Sequence, residues 1–197
     1  MTIDKHSSWR NYTIYGIAIV MVLAGLYMLC TAMYPLVHFG LINQANSSTT
    51  RLIEQTAGEI TDNRLYIPKI DINLPYSTGD ARTMENGAWW RVPENGNPED
   101  GGNFVLSAHR FIMGMTPEQT LRKSPFYNID KLAVGDQIII DYSGRRYTYK
   151  ISQIFSVKPE AIEIENRTDE PQLTLYSCTL GGASDGREVI IAKPVTK

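Results

Sequence analysis

Cysteine is nearly absent from this chain: its 197 residues hold two, Cys30 and Cys178. Two thiols far apart in sequence exclude a disulfide-built scaffold. Charge is missing from a whole stretch, since no Asp, Glu, Lys or Arg lies between Arg10 and Arg51. Neither sign dominates elsewhere, and a formal net charge of -2 argues against nucleic acid as the main partner. Internal repeats and long single-sign runs are also lacking, which removes solenoids and charged tails from consideration. What remains is 43% apolar and 20% charged, the balance of a globular protein rather than a disordered one.

The uncharged stretch contains "YTIYGIAIVMVLAGLYMLCTAMY", residues 12–34. About 20 apolar residues in a helix cross the hydrocarbon core of a bilayer. Tyr12, Tyr15 and Tyr34 suit the two interfaces, where an amphipathic ring is half wet. Lys5 and Arg10 precede the span and no positive charge follows it closely. The positive-inside bias then keeps residues 1–11 in the cytoplasm and sends the remainder outside. A cleaved signal peptide is the competing reading, but its apolar core runs only about 7–15 residues and ends at a small-residue site. Cys30-Thr31-Ala32 is a weak match to such a site, and bulky Leu29 disfavours lipidation of Cys30. The expectation is an uncleaved anchor that leaves Cys30 in the bilayer, out of reach of Cys178.

Residues 35–63 are polar and without strong periodicity, which predicts an extracellular stalk with one helical turn around residues 51–57. Residues 64–197 form the expected folded domain, and their pattern is mostly strands. "RLYIPKIDINLPY" mixes β-branched residues with two prolines, as at a sheet edge or a kink. "DQIIIDYSGRRYTYKISQIFSV" divides at Ser143-Gly144 into a hairpin. "GNFVLSAH", "PQLTLYSC" and "REVIIAKPV" supply further strands, the last two joined by "TLGGASDG". Helical signals are short: "DARTMENGAWW" and "TPEQTLRKS", the latter opening on a Thr-Pro cap. Seven or eight short strands with two small helices argue for a mainly β fold, a closed or nearly closed barrel, with a β-sandwich as the alternative.

The domain has one cysteine and, apart from His38 at the membrane edge, one histidine, His109 in "LSAHRF". Both end apolar strand-like runs, where a side chain leaves the core for a groove. A thiol acts as a nucleophile through its thiolate, which a neighbouring imidazole or guanidinium favours. His109 could protonate a leaving amine, and Arg187 could hold a developing oxyanion with a fixed fork of donors. Taken singly, each also reads as structural: core filler, a hydrogen-bonded surface histidine, a turn arginine.

Together, "LSAHR", "LTLYSC" and "GGASDGREVIIAKPV" resemble the three active-site segments of the sortases, membrane-anchored cysteine transpeptidases of bacterial cell surfaces. "YIPKIDINLPY" and "DARTMENGAWW" resemble that family's opening strand and short helix. The resemblance implies an eight-stranded β-barrel with Cys178 as nucleophile, His109 as general acid and then base, and Arg187 as stabiliser of substrate and oxyanion. It implies cleavage of an LPXTG-like sorting signal between Thr and Gly, a thioacyl-enzyme, and transfer to an amine such as a peptidoglycan precursor or a pilin lysine. It also implies a single-pass protein of the bacterial cell membrane with its catalytic domain outside. Ser177 stands where the family has Thr before the nucleophile and is expected to contact substrate through its hydroxyl. Ala108 stands where many members have Gly before the histidine. A thiol peptidase or amidase releasing product to water, and a non-catalytic β-barrel binding module, are the alternative functions. No cofactor is expected. Glu160, Glu163, Glu165 and Asp169 raise calcium, but they lack the spacing of a dedicated calcium loop. Trp89-Trp90 is expected to be helix packing on the barrel rather than a ligand platform. No pilin-type lid precedes the first strand, which leans away from the pilin-polymerising class.

Overall fold

The computed structural model describes residues 5–41, 48–55 and 60–195. Helix α1 (Lys5–Leu41) and the short α2 (Ser48–Gln55) precede nine strands. These are β1 (Arg64–Ile67), β2 (Ile72–Ser77), β3 (Ala88–Trp90), β4 (Gly96–Asn97), β5 (Gly101–Ser107), β6 (Gln137–Tyr142), β7 (Arg145–Val157), β8 (Gln172–Thr179) and β9 (Gly182–Pro194). Helix α3 (Pro117–Lys123) lies between β5 and β6. The strands follow the order β3-β2-β1-β6-β7-β9-β8-β5, and pairing of β3 with β5 closes the ring. The fold is thus the closed eight-stranded barrel expected, and β4 is a two-residue pairing on the rim of β5.

Local chemistry explains several turns. Ser143 and Gly144 both take positive φ, 51° and 76°, so β6 and β7 join through a primed two-residue turn whose twist matches the strands. Neither proline marks an edge: Pro75 lies within β2, which pairs with β1 and β3, and β1 itself pairs on both sides. Pro68 marks the kink, opening a 3₁₀ turn that ends at Asp71 in the left-handed region, φ 53°. "DARTMENGAWW" is not one helix. Asp80 caps a 3₁₀ turn over Ala81–Glu85, and Ala88–Trp90 is strand β3, so the tryptophans sit on a barrel strand.

Strand parity sorts the two rings. Trp90 pairs with Leu106 and faces the core, edge-on to Tyr76, Phe104 and Tyr142, while Trp89 pairs with Ser107 and faces outward. The main core fills the barrel with Leu65, Ile67, Phe104, Leu106, Ile138 and Leu175 among others. A smaller cluster of Val105, Tyr176, Val189 and Ile191 lies on the outer face of β5, β8 and β9, covered by Ile164 from the β7–β8 connection.

The expected boundary between span and stalk moves. Pro35 withholds the donor that the Thr31 carbonyl would use, yet the helix continues through it to Leu41. Its last third docks on the domain: Asn128 donates to the Pro35 carbonyl at 3.2 Å, and Phe39 packs on the main core. α2 is docked as well. Asp71 accepts from the Thr49 amide at 2.9 Å, and Arg146, paired with Asp141, donates to the Ile53 carbonyl at 2.8 Å. The expected free stalk is therefore helical and attached to the barrel at residues 35–41 and 48–55; residues 42–47 and 56–59 lie outside the described residues.

Burial raises the phenols of Tyr76, Tyr149 and Tyr176 above the ordinary value of 10.0, with the Glu165 hydrogen bond adding to the effect at Tyr176. The unfolded chain ionises these groups near the ordinary value, so stability is full below that pH and lost as pH rises above it. The denaturation midpoint of the full chain in detergent is expected to fall steeply above about pH 10. Phenolate absorbance from these residues should grow only with unfolding, and ionisation of all three near pH 10 in a still-folded protein would contradict the burial.

Candidate active site

The site is built by strand register. β5 and β8 run parallel, with Ser107 paired to Tyr176 and a last ladder bond from the Ala108 amide to the Tyr176 carbonyl at 3.4 Å. His109 lies two residues past Ser107, and Cys178 two past Tyr176, so the chain exits both strands at one rim. β8 and β9 run antiparallel and set Cys178 directly opposite Arg187. Side chains alternate along a strand, and residues opposite each other share a face. Cys178, a free cysteine, therefore stands on the outer face with Tyr176. The three residues line one cleft of about 610 Å³, together with Trp89, Arg91 and Tyr176.

Each side chain is held locally. The His109 carbonyl accepts from the amide of fully buried Phe126 at 3.1 Å. Its ring Nε2 is buried without a hydrogen-bond partner among the described residues, and the nearest charge, Glu85 Oε1, is 3.6 Å away. That separation is too long for a hydrogen bond, so this nitrogen has no hydrogen-bond partner among the described residues. Arg187 sits at a bulge: β9 runs from Arg187 to Gly182 while β8 advances only from Cys178 to Thr179. Arg187 Nη1 donates to the carbonyls of Ala183 at 2.8 Å and Gly186 at 3.0 Å, and Thr179 Oγ1 donates to Asp185 across the same turn. Nη1 alone makes these bonds, so the rest of the guanidinium fork is unoccupied by protein among the described residues.

Ser177 departs from expectation. Parity turns it inward, it is 1% exposed, and its hydroxyl donates to the Cys178 carbonyl at 3.0 Å. It does not line the cleft, so a direct contact of its side chain with substrate is not supported by its position.

Sequence reasoning missed a clamp that ties the β7–β8 connection to two cleft residues, Arg91 and Tyr176. Glu165, in the 3₁₀ turn Ile162–Glu165, accepts from Arg91 Nε at 2.8 Å and Nη2 at 3.1 Å, and from the Tyr176 hydroxyl at 2.5 Å. Asn95 donates to the Glu165 carbonyl at 2.7 Å, and Asn103 donates to the carbonyls of Ile164 and Asn166. The Arg91 guanidinium lies 4.0 Å from the centre of the Trp89 ring. Burial opposes the Arg91 charge, but its bonds to Glu165 outweigh this and raise its pKa. The acids raised for calcium thus divide: Glu165 is committed to Arg91 and Tyr176, and Glu160, Glu163 and Asp169 are exposed. Among the described residues no three His, Cys, Asp or Glu side chains converge as a metal site. Arg110, also missed, lines the cleft while 5% exposed and pairs with Asp130 at 2.8 Å.

A thiol, an imidazole and a guanidinium on one row of a groove form the set needed for acyl transfer: nucleophile, proton carrier and oxyanion donor. Charge-assisted hydrogen bonds contribute about 1.5–3 kcal/mol each, so Glu165→Ala is expected to speed amide hydrogen exchange across residues 161–167 by at least about tenfold. Unchanged exchange there would show that the clamp does not hold that segment.

The model of the Sortase domain family matches residues 65–195. The chain is 31% identical over 116 residues to sortase A of Streptococcus agalactiae serotype III, a match covering 58% of this chain and 45% of that protein. It is 26% identical over 147 residues to sortase SrtE1 of Streptomyces coelicolor, covering 66% of this chain and 39% of that protein. The matches span less than half the length of these curated relatives. Among solved structures, Listeria monocytogenes sortase A superposes with a TM-score of 0.59 at 18% identity, over 70% of this chain and 88% of that one, a likeness of fold.

Proposed function

The chain belongs to the sortase family, and from that premise we propose that it is a membrane-anchored cysteine transpeptidase in which Cys178, His109 and Arg187 carry the reaction. The observation that supports this most is the shared row: two parallel strand ends and one antiparallel register bring thiol, imidazole and guanidinium to a single cleft. α1 is the anchor, with the N-terminus cytoplasmic and the barrel outside, in keeping with Lys5 and Arg10 before the span.

The substrate is a surface protein with an LPXTG-like signal lying along the cleft. The Cys178 thiolate adds to the Thr carbonyl carbon, and the oxygen takes up negative charge beside the free edge of the Arg187 fork. As the tetrahedral species collapses, the bond to Gly breaks and His109 gives its proton to the departing amine. This leaves a thioester on Cys178. An incoming amine then attacks the thioester, His109 takes the proton, and the new amide forms as the thiolate leaves. A peptidoglycan precursor or a lysine of another surface protein is an acceptor of the required chemistry. Ser177 acts from behind, through the Cys178 backbone, rather than on the substrate.

The test offers the protein a panel of LPXTG-like peptides with an amine and follows ligated product. Wild type is expected to give amine-dependent product, and Cys178→Ala none. Equal behaviour of the two across the panel would overturn the assignment, and hydrolysis that amines never divert would replace transfer with peptidase action. Arg187→Lys keeps the charge and loses the fork, so kcat is expected to fall by about 100-fold or more. Near-normal turnover would remove Arg187 from the oxyanion role.

A further inference from the structure

Residues 111–115, between β5 and α3, carry apolar side chains to the surface: Phe111 is 38% exposed, Met113 47% and Met115 80%. A loop that only joined a strand to a helix would bury such groups or replace them with polar ones. Its position on α1 supplies the reason. Every side chain from residue 11 to 30 is exposed, and burial begins at Thr31 and continues through Pro35, with Tyr34, His38 and Phe39 half-buried along the same stripe. Those 20 residues of open helix extend about 30 Å, the thickness of a hydrocarbon core. The bilayer surface on the domain side therefore falls near Thr31, and the barrel rests directly on it.

The loop meets α1 on the membrane side of that residue. The Tyr27 hydroxyl donates to the Met115 carbonyl at 2.8 Å, and Tyr27 lies one helical turn, about 6 Å along the axis, on the membrane side of Thr31. Non-helical backbone at such a depth needs its donors satisfied by protein, because lipid offers none. Three of the five loop amides meet this requirement: that of Ile112 donates to Ser124 Oγ at 2.9 Å, that of Gly114 to Thr120 Oγ1 at 2.9 Å, and that of Met115 to Gln119 Oε1 at 3.0 Å. Gly114 permits the close approach, since a Cβ there would come within 2.6 Å of Gln119 Cβ. Pinned in this way, the backbone cannot turn its methionines inward. The last turn of α3 adds Arg122, a cation suited to anionic headgroups.

We propose that residues 111–115 form a foot that enters the headgroup and upper acyl region of the leaflet from which α1 emerges, its occupant being outer-leaflet lipid. Phe111 and Ile112 also line the catalytic cleft, so the foot sets the mouth of that cleft at the bilayer surface. Donor and acceptor are then met within the interface, and a reactant tethered to the same membrane needs no long excursion to reach Cys178. The inference rests on α1 being the anchor, and the experiment separates the two.

Full-length protein with Cys30→Ser and Cys178→Ala is labelled with a small fluorophore at single cysteines introduced as Val20→Cys, Met113→Cys, Met115→Cys or Asp169→Cys. Asp169 lies beyond the opposite ends of β5 and β8 and serves as the aqueous reference. Each variant is reconstituted in phosphatidylcholine–phosphatidylglycerol vesicles containing lipid spin-labelled near the headgroup or at the chain end. The label at position 20 is expected to be quenched by the chain-end spin. Those at 113 and 115 should be quenched by the headgroup-proximal spin several-fold more than that at 169. An unquenched label at position 20 would overturn the anchor and the foot with it. Quenching at 20 with labels at 113 and 115 no more quenched than that at 169 would overturn the foot alone. Shielding of 113 and 115 from aqueous iodide without lipid quenching would mean that protein covers them, which also overturns it.

Discussion

The parallel pairing of β5 with β8 is the constraint on which the site depends. Antiparallel neighbours would send their C-terminal ends to opposite rims, whereas a parallel pair ends on one. Such a pair needs a long crossover, and here the chain from residue 108 to 171 supplies it, carrying α3, β6, β7 and the segment clamped at Glu165. Parallel strands are stable when both faces are covered, and β5 is buried at every position from Gly101 to Ser107. Inside, Phe104 and Leu106 meet the barrel core; outside, Asn103 and Val105 lie under Ile164 and Asn166, and Ser107 meets Met84. The Thr174 hydroxyl donates to Asn103 Oδ1 at 2.6 Å in a buried contact between the two strands. A slip of one residue would strand this polar pair and turn Cys178 into the barrel, so the polar contact and the parity enforce the same register.

Much of this was legible in the sequence, for reasons that are local. Ser143-Gly144 announced its turn through the positive φ that such hairpins need. Cys178 and His109 stood out because thiol and imidazole are rare in this chain and each lies at or just beyond a strand end, and Arg187 because it opens the strand that follows Cys178. What was illegible depended on partners distant in sequence. Glu165 read as one of several loop acids, since nothing near it in the chain reveals Arg91 or Tyr176. The tryptophans read as a helix because a short 3₁₀ turn and a three-residue strand carry too little periodicity to separate. Residues 35–41 read as the start of a stalk, although α1 continues through them and docks on the domain. Ser177 is a different case. Alternation from Tyr176 and Cys178 already turned it inward, and a strand-parity argument would have found this without a structure.

The floor of the cleft is strand backbone fixed by ladder bonds on both sides of β8. The β7–β8 connection beside it is tied at Glu165 and Asn103, and Glu165 bonds to Tyr176, which rises from the same strand as Cys178. Glu165 thus links Arg91 on one side of the cleft to the strand that carries Cys178.

The central claim is that register delivers Cys178 to the acyl group, and the most direct measurement is the intact mass of acid-quenched enzyme taken while an LPXTG-like peptide turns over. The account predicts an added mass equal to the acyl fragment through its Thr residue, mapping to Cys178 and discharged by an added amine. Product formation with the acyl group on another residue, or with no covalent species under conditions that trap thioesters, would contradict it.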